Sequence, residues 1–237
     1  MKTVDIQMER NRALWRRYSR LGDSVILFSN ILSNVPDCKI NLYFWKRAVT
    51  DLWWQLAHLL DSEERVTLIE DLAPAGTKPL AKFTSIVSDF KYYAKLNKNR
   101  LKPNFDQIKK IKNDLDFSKV ICWNRRVWVE GASPAYAYKT INEVPQQFFK
   151  KYPDYQFVNI GTPVGETDRG SHMYDLHTTI WLLKNCPIYL GSDSGATHLA
   201  LTVKKPEDVY IWAKNDIENE RGWGMDIWQK EGANIFY

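Results

Sequence analysis

"YLGSDSGATHLALTV", Tyr189 to Val203, decides how the chain reads. The short apolar run "PIYLG" ends at Gly191, the next four residues (Ser192, Asp193, Ser194 and Gly195) are turn formers, and "GATHLALTV" has helical character. A strand that passes through such a turn into a helix aims the helix's unpaired N–H groups and positive dipole end at whatever lies over the strand tip. That arrangement suits a phosphate or diphosphate. Gly195 allows close backbone approach, Ser194 offers a hydroxyl, Asp193 or Ser192 is placed to cap the helix, and His198 lies in the first turn. For Asp-Ser-Gly alone, a capped helix with a satisfied histidine is the plainer reading.

The flanking sequence repeats the alternation. Strands are expected at 119–124 ("KVICWN"), 155–161, 187–191 and 208–213, separated by helices at 141–152, 177–185 and 195–203. This is the pattern of a parallel α/β sheet, in which ligands bind at the carboxyl ends of strands. The first half shows the same class. A helix runs from Gly22-Asp23 to about Val35, a turn falls at Pro36-Asp37, and "CKINLYFW" alternates Ile40, Leu42 and Phe44. Leucines at 52, 56, 59 and 60 predict a helix over 48–72. The polar stretch ending near residue 112, with Pro103, reads as the connection, giving domains 1–112 and 113–237.

The net charge of +5 is unevenly placed. Residues 1–20 hold Lys2, Arg10, Arg12, Arg16, Arg17 and Arg20 against Asp5 and Glu9; residues 91–112 hold seven lysines and Arg100 against Asp106 alone. Two basic segments on an otherwise net acidic chain point to a polyanionic partner, a nucleic acid or an anionic glycolipid, with Tyr92, Tyr93 and Phe105 as stacking groups. Merely solvated lysine faces are the plainer alternative. Ten Trp and twelve Tyr supply ring faces for sugars or bases. Cys38, Cys122 and Cys186 lack disulfide or zinc spacing, and no apolar run is long enough for a signal peptide or membrane span, so a cytoplasmic protein is expected.

Gly22-Asp23-Ser24 has two readings. A GDS-type serine hydrolase would use Ser24 as nucleophile, but it needs a late Asp-x-x-His; Asp175 to His177 and Asp193 to His198 have other spacings, and "AKND" is no match for the hydrolase Gly-x-Asn-Asp block. The other reading makes Asp23 the chemical group. "GSDSGATHLA" resembles the D-[ST]-G-x-x-H-L-A signature of the lipopolysaccharide heptosyltransferase family (glycosyltransferase family nine), and "RLGDSVILFSNIL" followed by "PDCKINLYF" resembles that family's opening. The chain is shorter than typical members, and "ALWRRYS", at the place of their first strand, is basic.

The resemblance implies a GT-B fold, two Rossmann-like parallel-sheet domains facing a cleft, and inverting sugar transfer from a nucleotide-sugar donor. It makes Asp23 the catalytic base and Ser194, Gly195 and His198 diphosphate contacts, with Ser192 and Asp193 in the same loop. The family's basic side chain on the donor phosphates has three candidates here, Arg125, Arg126 and Lys139. The loop "FVNIGTPVGETDRG" offers Gly161, Thr162 and Glu166 to the nucleoside, and Gly22, Arg16, Arg17, Lys109 and Lys110 are candidates for the acceptor. No metal or other cofactor is expected; Asp114-Leu115-Asp116 reads as a turn or cap rather than a metal-binding DxD. The transferred sugar, a hexose, heptose or pentose, stays open. So does the acceptor, a glycan or glycolipid on one side and a hydroxymethylated DNA base on the other. A non-catalytic nucleotide or nucleic-acid binding protein with a GT-B-like fold is the competing class.

Overall fold

The computed structural model describes residues 2–8, 21–35, 37–44, 51–60, 64–79, 94–124, 126–128, 138–140, 146–161, 174–192, 194–212 and 229–236. The chain divides into two compact units, one built on Met1–Leu101 and the other on Lys102–Val164 and Asp168–Tyr237. Both contain a parallel sheet with helices, the α/β class expected from the alternation. No helix among the described residues is long and apolar enough to cross a membrane.

The first unit runs β1 (Lys2–Gln7), α1 (Leu21–Asn34), β2 (Cys38–Phe44), α2 (Asp51–Leu59), β3 (Val66–Glu70) and β4 (Lys78–Pro79). Among the described residues its sheet has the order β3-β2-β1-β4, with each pairing parallel. Ile40, Leu42 and Phe44 of β2 are buried, as their period-two spacing predicts. α1 buries Val25, Leu27, Phe28, Ile31 and Leu32 together with the polar Ser24, Ser29 and Asn30, so it is enclosed on most sides rather than amphipathic. The Ser29 hydroxyl donates to the Val25 carbonyl at 2.7 Å and accepts from the Ala94 N–H at 2.9 Å, satisfying one of those buried groups.

A strand the sequence did not suggest, β1, runs in register with β2 from Lys2↔Cys38 to Gln7↔Tyr43, whereas "ALWRRYS", expected as the opening strand, lies outside the described residues. The helix expected over 48–72 ends at Leu59, and Val66–Glu70 is a strand parallel to β2. The leucine spacing stops at Leu60, and the β-branched Val66, Thr67 and Ile69 then favour a pleated strand.

The second unit runs α3 (Phe105–Asp114), β5 (Val120–Trp123), a hairpin of β6 (Arg126–Trp128) and β7 (Tyr138–Thr140), α4 (Gln146–Lys151), β8 (Gln156–Asn159), α5 (Leu176–Asn185), β9 (Ile188–Ser192), α6 (Gly195–Leu201), β10 (Val209–Trp212) and β11 (Asn234–Phe236). Among the described residues the main sheet has the order β11-β10-β9-β5-β8, with each pairing parallel. Every residue of β5 and of β9 is buried, as expected for strands covered on both faces. On one face Ile121, Trp123, Ile188, Leu190 and Tyr210 pack around Phe148 of α4. α4 covers Gln146–Lys151 of the helix expected at 141–152, and 141–145 lie outside the described residues.

The stretch read as the connection between halves holds a helix of its own, and it passes from one unit to the other abruptly. Asn97 N–H donates to the Leu59 carbonyl at 2.7 Å, and the Arg100 guanidinium donates to the His58 carbonyl at 2.9 Å, holding 97–100 in the first unit. Lys102 N–H then donates to His177 Nδ1 and Asn104 N–H to Thr178 Oγ1, each at 3.0 Å, tying the chain to α5 of the second unit. The division therefore falls at Leu101/Lys102, ahead of the 112/113 boundary expected from sequence. α3 belongs to the second unit, its start capped by the Asn104 side chain, which accepts from the Asp106 and Gln107 N–H groups. Asp116 caps the next turn, accepting from Ser118 N at 3.0 Å and Ser118 Oγ at 2.7 Å, and these bonds lower its pKa.

Candidate phosphate site of the second unit

The strand order itself locates the site. β5 comes first in the chain, β8 pairs on one side of it, and the chain then crosses back to add β9, β10 and β11 on the other. A sheet whose order reverses in this way opens a crevice at the carboxyl ends of the two strands flanking the reversal, here β5 and β9. The residues after β5 begin with Asn124 and those after β9 include Ser194 and Gly195. The turn singled out in the sequence thus sits at the topological switch point.

Its shape is fixed from beneath by buried polar groups. Thr197 Oγ1 donates to the Ser192 carbonyl at 2.5 Å, which leaves the Tyr189 hydroxyl to donate to Thr197 Oγ1 at 2.9 Å. To reach it, Tyr189 passes over Gly191: a Cβ at 191 would lie 2.7 Å from Tyr189 Cζ, too close for any side chain. Burial raises the Tyr189 pKa despite hydrogen-bonding with Thr197, Ser194 and Asn124, so the phenol stays protonated. Asn124 is 4% exposed; its N–H donates to the Leu190 carbonyl at 2.9 Å, and its side-chain amide reaches Ser194 Oγ at 3.4 Å. One amide thereby links the carboxyl ends of β5 and β9.

Ser194, half-buried, is the N-cap residue of α6, a place expected for Asp193 or Ser192. β9 continues through Ser192, which pairs with Trp212, and the helix begins at Gly195, as expected. The Ser194 side chain makes no capping bond to α6; its hydroxyl lies 3.4 Å from Thr197 Oγ1 as well as from the Asn124 amide. Gly195 is half-buried in the first turn. His198 is 5% exposed, and burial pushes its pKa down to about 3. It is neutral at physiological pH, so any contact it makes with a phosphate is a hydrogen bond and not a charge.

Gly161, after β8, joins the same edge. It is buried at φ 55°, in the left-handed region, and its N–H donates to Asn159 Oδ1 at 3.0 Å. The order β9-β5-β8 places Ser194, Asn124 and Gly161 after three adjacent strands. Arg126 and Lys139 sit in the hairpin, where the register pairs Arg126 with Thr140 and Val127 with Lys139, positions of opposite parity. Their side chains, and all of Arg125, Thr162, Glu166 and Asp193, lie outside the described residues.

In the first unit, Gly22 and Asp23 fall in the first turn of α1, with Gly22 buried and the Asp23 side chain outside the described residues. Ser24 is 1% exposed inside the unit, the setting of a packed helix residue rather than of an accessible nucleophile, which counts against the hydrolase reading of Gly-Asp-Ser. Arg16 and Arg17 lie outside the described residues, whereas Lys109 and Lys110 are exposed on α3. Among the described residues no group of three His, Cys, Asp or Glu is placed to hold a metal ion. Asn124, Tyr189 and Thr197 escape a motif search. The signals available were a polar residue directly after the apolar "VICW" and a tyrosine two residues before the glycine of the turn.

No family model and no curated protein sequence matches the chain. Among solved structures it is similar to the glycosyl transferase family 9 protein from Veillonella parvula DSM 2008, with a TM-score of 0.42 and 12% identity over 99% of this chain and 85% of that one. It is also similar to TibC, a bacterial iron-containing dodecameric glycosyltransferase from enterotoxigenic E. coli H10407, with a TM-score of 0.44 and 11% identity over 90% of this chain. The chain spans 59% of TibC, less than two thirds of its length. Likeness of this degree fixes no activity.

Proposed function

We propose that the protein is an inverting glycosyltransferase that moves a sugar from a nucleotide-sugar donor to a hydroxyl of an anionic acceptor. The observation that carries the reading is the placement of the Gly191–Gly195 turn at the β5/β9 switch point, beside Asn124. In this reading the second unit is the donor half of a GT-B fold. Ser194 and the backbone at Gly195 bind the diphosphate, His198 adds a neutral donor, and one of Arg125, Arg126 and Lys139 supplies positive charge. Gly161 and its loop meet the nucleoside. The first unit is the acceptor half, with Asp23 as base. The motif resemblance supports that role, as does the position of Asp23 in the helix that follows β1, the strand at which the first unit's own order reverses.

The transfer is then a single displacement. Asp23 takes the proton of the acceptor hydroxyl, the oxygen attacks the anomeric carbon from the face opposite the diphosphate, and the diphosphate leaves with the bonding electron pair. The groups named above neutralise the leaving charge, so the scheme routes no step through a metal. Incubation with UDP-, GDP- and ADP-sugars, following slow donor hydrolysis, tests the reading. Asp23→Asn is expected to lower turnover by about 10²- to 10⁴-fold while leaving nucleotide affinity unchanged. Unchanged turnover contradicts Asp23 as base; nucleotide binding with no turnover by the wild type favours the non-catalytic binding protein.

A further inference from the structure

We infer that the exposed face of α3 is a docking surface for membranes rich in anionic lipid. α3 buries Ile108 and half-buries Gln107 and Ile111, while Phe105, Lys109, Lys110 and Lys112 are exposed. At about 100° per residue, Phe105, Lys109 and Lys112 share one stripe, with Lys112 Nζ 5.2 Å from the centre of the Trp181 ring; the exposed Asp106 and, beyond it, Lys110 lie to one side, and the exposed Lys102 stands in the extended segment before the helix. Phe105 is 73% exposed, against 55% for Leu72 and 53% for Phe149, the other exposed large hydrophobics among the described residues. Nothing in the helix requires that ring: Asn104 provides the cap and Ile108 the inner contact.

A convex helix face with one protruding aromatic among lysines is complementary to a flat anionic surface. The ammonium groups sit at the phosphate headgroups while the ring enters the acyl boundary. A nucleic acid fits this face less well. Its charges are lysines on a ridge rather than arginine forks in a groove, and the neighbouring depression sets Lys112 and Lys119 beside Asp116 and Asp154. The surface goes beyond the sugar-transfer reading and does not depend on it. For a transferase with a glycolipid acceptor, it would hold the protein where that acceptor lies.

Sedimentation of the full chain with sucrose-loaded vesicles tests this, using phosphatidylcholine alone or with about one third phosphatidylglycerol. Binding is expected only to the anionic vesicles and is expected to fall with salt. Lys109→Ala/Lys110→Ala should weaken it by about 30-fold, at about fivefold per lysine. Phe105→Ala should weaken it by about tenfold without changing the salt dependence. All three side chains are exposed, so circular dichroism should show wild-type folding. Failure of the wild type to sediment with anionic vesicles at low salt, equal binding to neutral ones, or wild-type binding by both variants would overturn the proposal. Tighter binding of a single-stranded or duplex oligonucleotide, lost in the same variants and displacing the vesicles, would reassign the face to nucleic acid.

Discussion

At the scale of single residues, His198 has the least expected environment. A histidine in the first turn of a helix over a candidate phosphate site invites a cationic role, yet burial leaves it neutral, with a pKa of about 3 against an ordinary 6.5. Because the folded pKa lies below the unfolded one, the unfolded chain takes up the proton first as pH falls. The stability tied to His198 is therefore complete above pH 6.5 and is lost progressively towards pH 3. His58 and His177 are also lowered and act in the same direction, so the useful quantity is the difference between wild type and His198→Gln. From pH 7.5 to 5.5, urea unfolding should show the wild type losing about 1 kcal/mol more than the variant. Equal losses would contradict a buried neutral histidine. The sequence shows that a histidine follows the turn; it does not show that the helix is buried around it.

At the scale of elements, β9 and α6 act as one piece because Tyr189 crosses Gly191 to reach Thr197. Gly191→Ala should cost about 1–3 kcal/mol through overpacking. The cost should shrink in a Tyr189→Leu background, where no ring lies over position 191, and a double-mutant cycle by urea unfolding measures that coupling. Additive losses would contradict the crossing. Long periodic elements such as β2, α5 and β9 were legible because burial on one or both faces leaves a pattern. The elements of two or three residues, β4, β6, β7 and β11, were not, since so few positions carry no period. α3 was missed for another reason: its lysines and Pro103 look like a linker, and only Ile108 and Ile111 mark the inner face. β3 was absorbed into a helix because apolar residues continue through it after the leucine spacing has ended.

At the scale of the whole molecule, each unit reverses its strand order at its first strand, β1 in one and β5 in the other. The turn 191–195 was legible as a strand-to-helix turn from residue types alone, and the α/β class from the alternation. Asn124 was not, because one polar residue after an apolar strand gains meaning only when the topology sets β9 beside β5. The claim on which the account rests is that this switch point holds a nucleoside diphosphate. Calorimetric titration of UDP, GDP and ADP into the wild type, Ser194→Ala and Asp23→Asn tests it most directly. The expected result is saturable binding of one of the three, weakened about tenfold or more by Ser194→Ala through loss of a hydrogen bond to a charged group, and unchanged by Asp23→Asn. Absence of binding at millimolar nucleotide, or binding indifferent to Ser194→Ala, would contradict it.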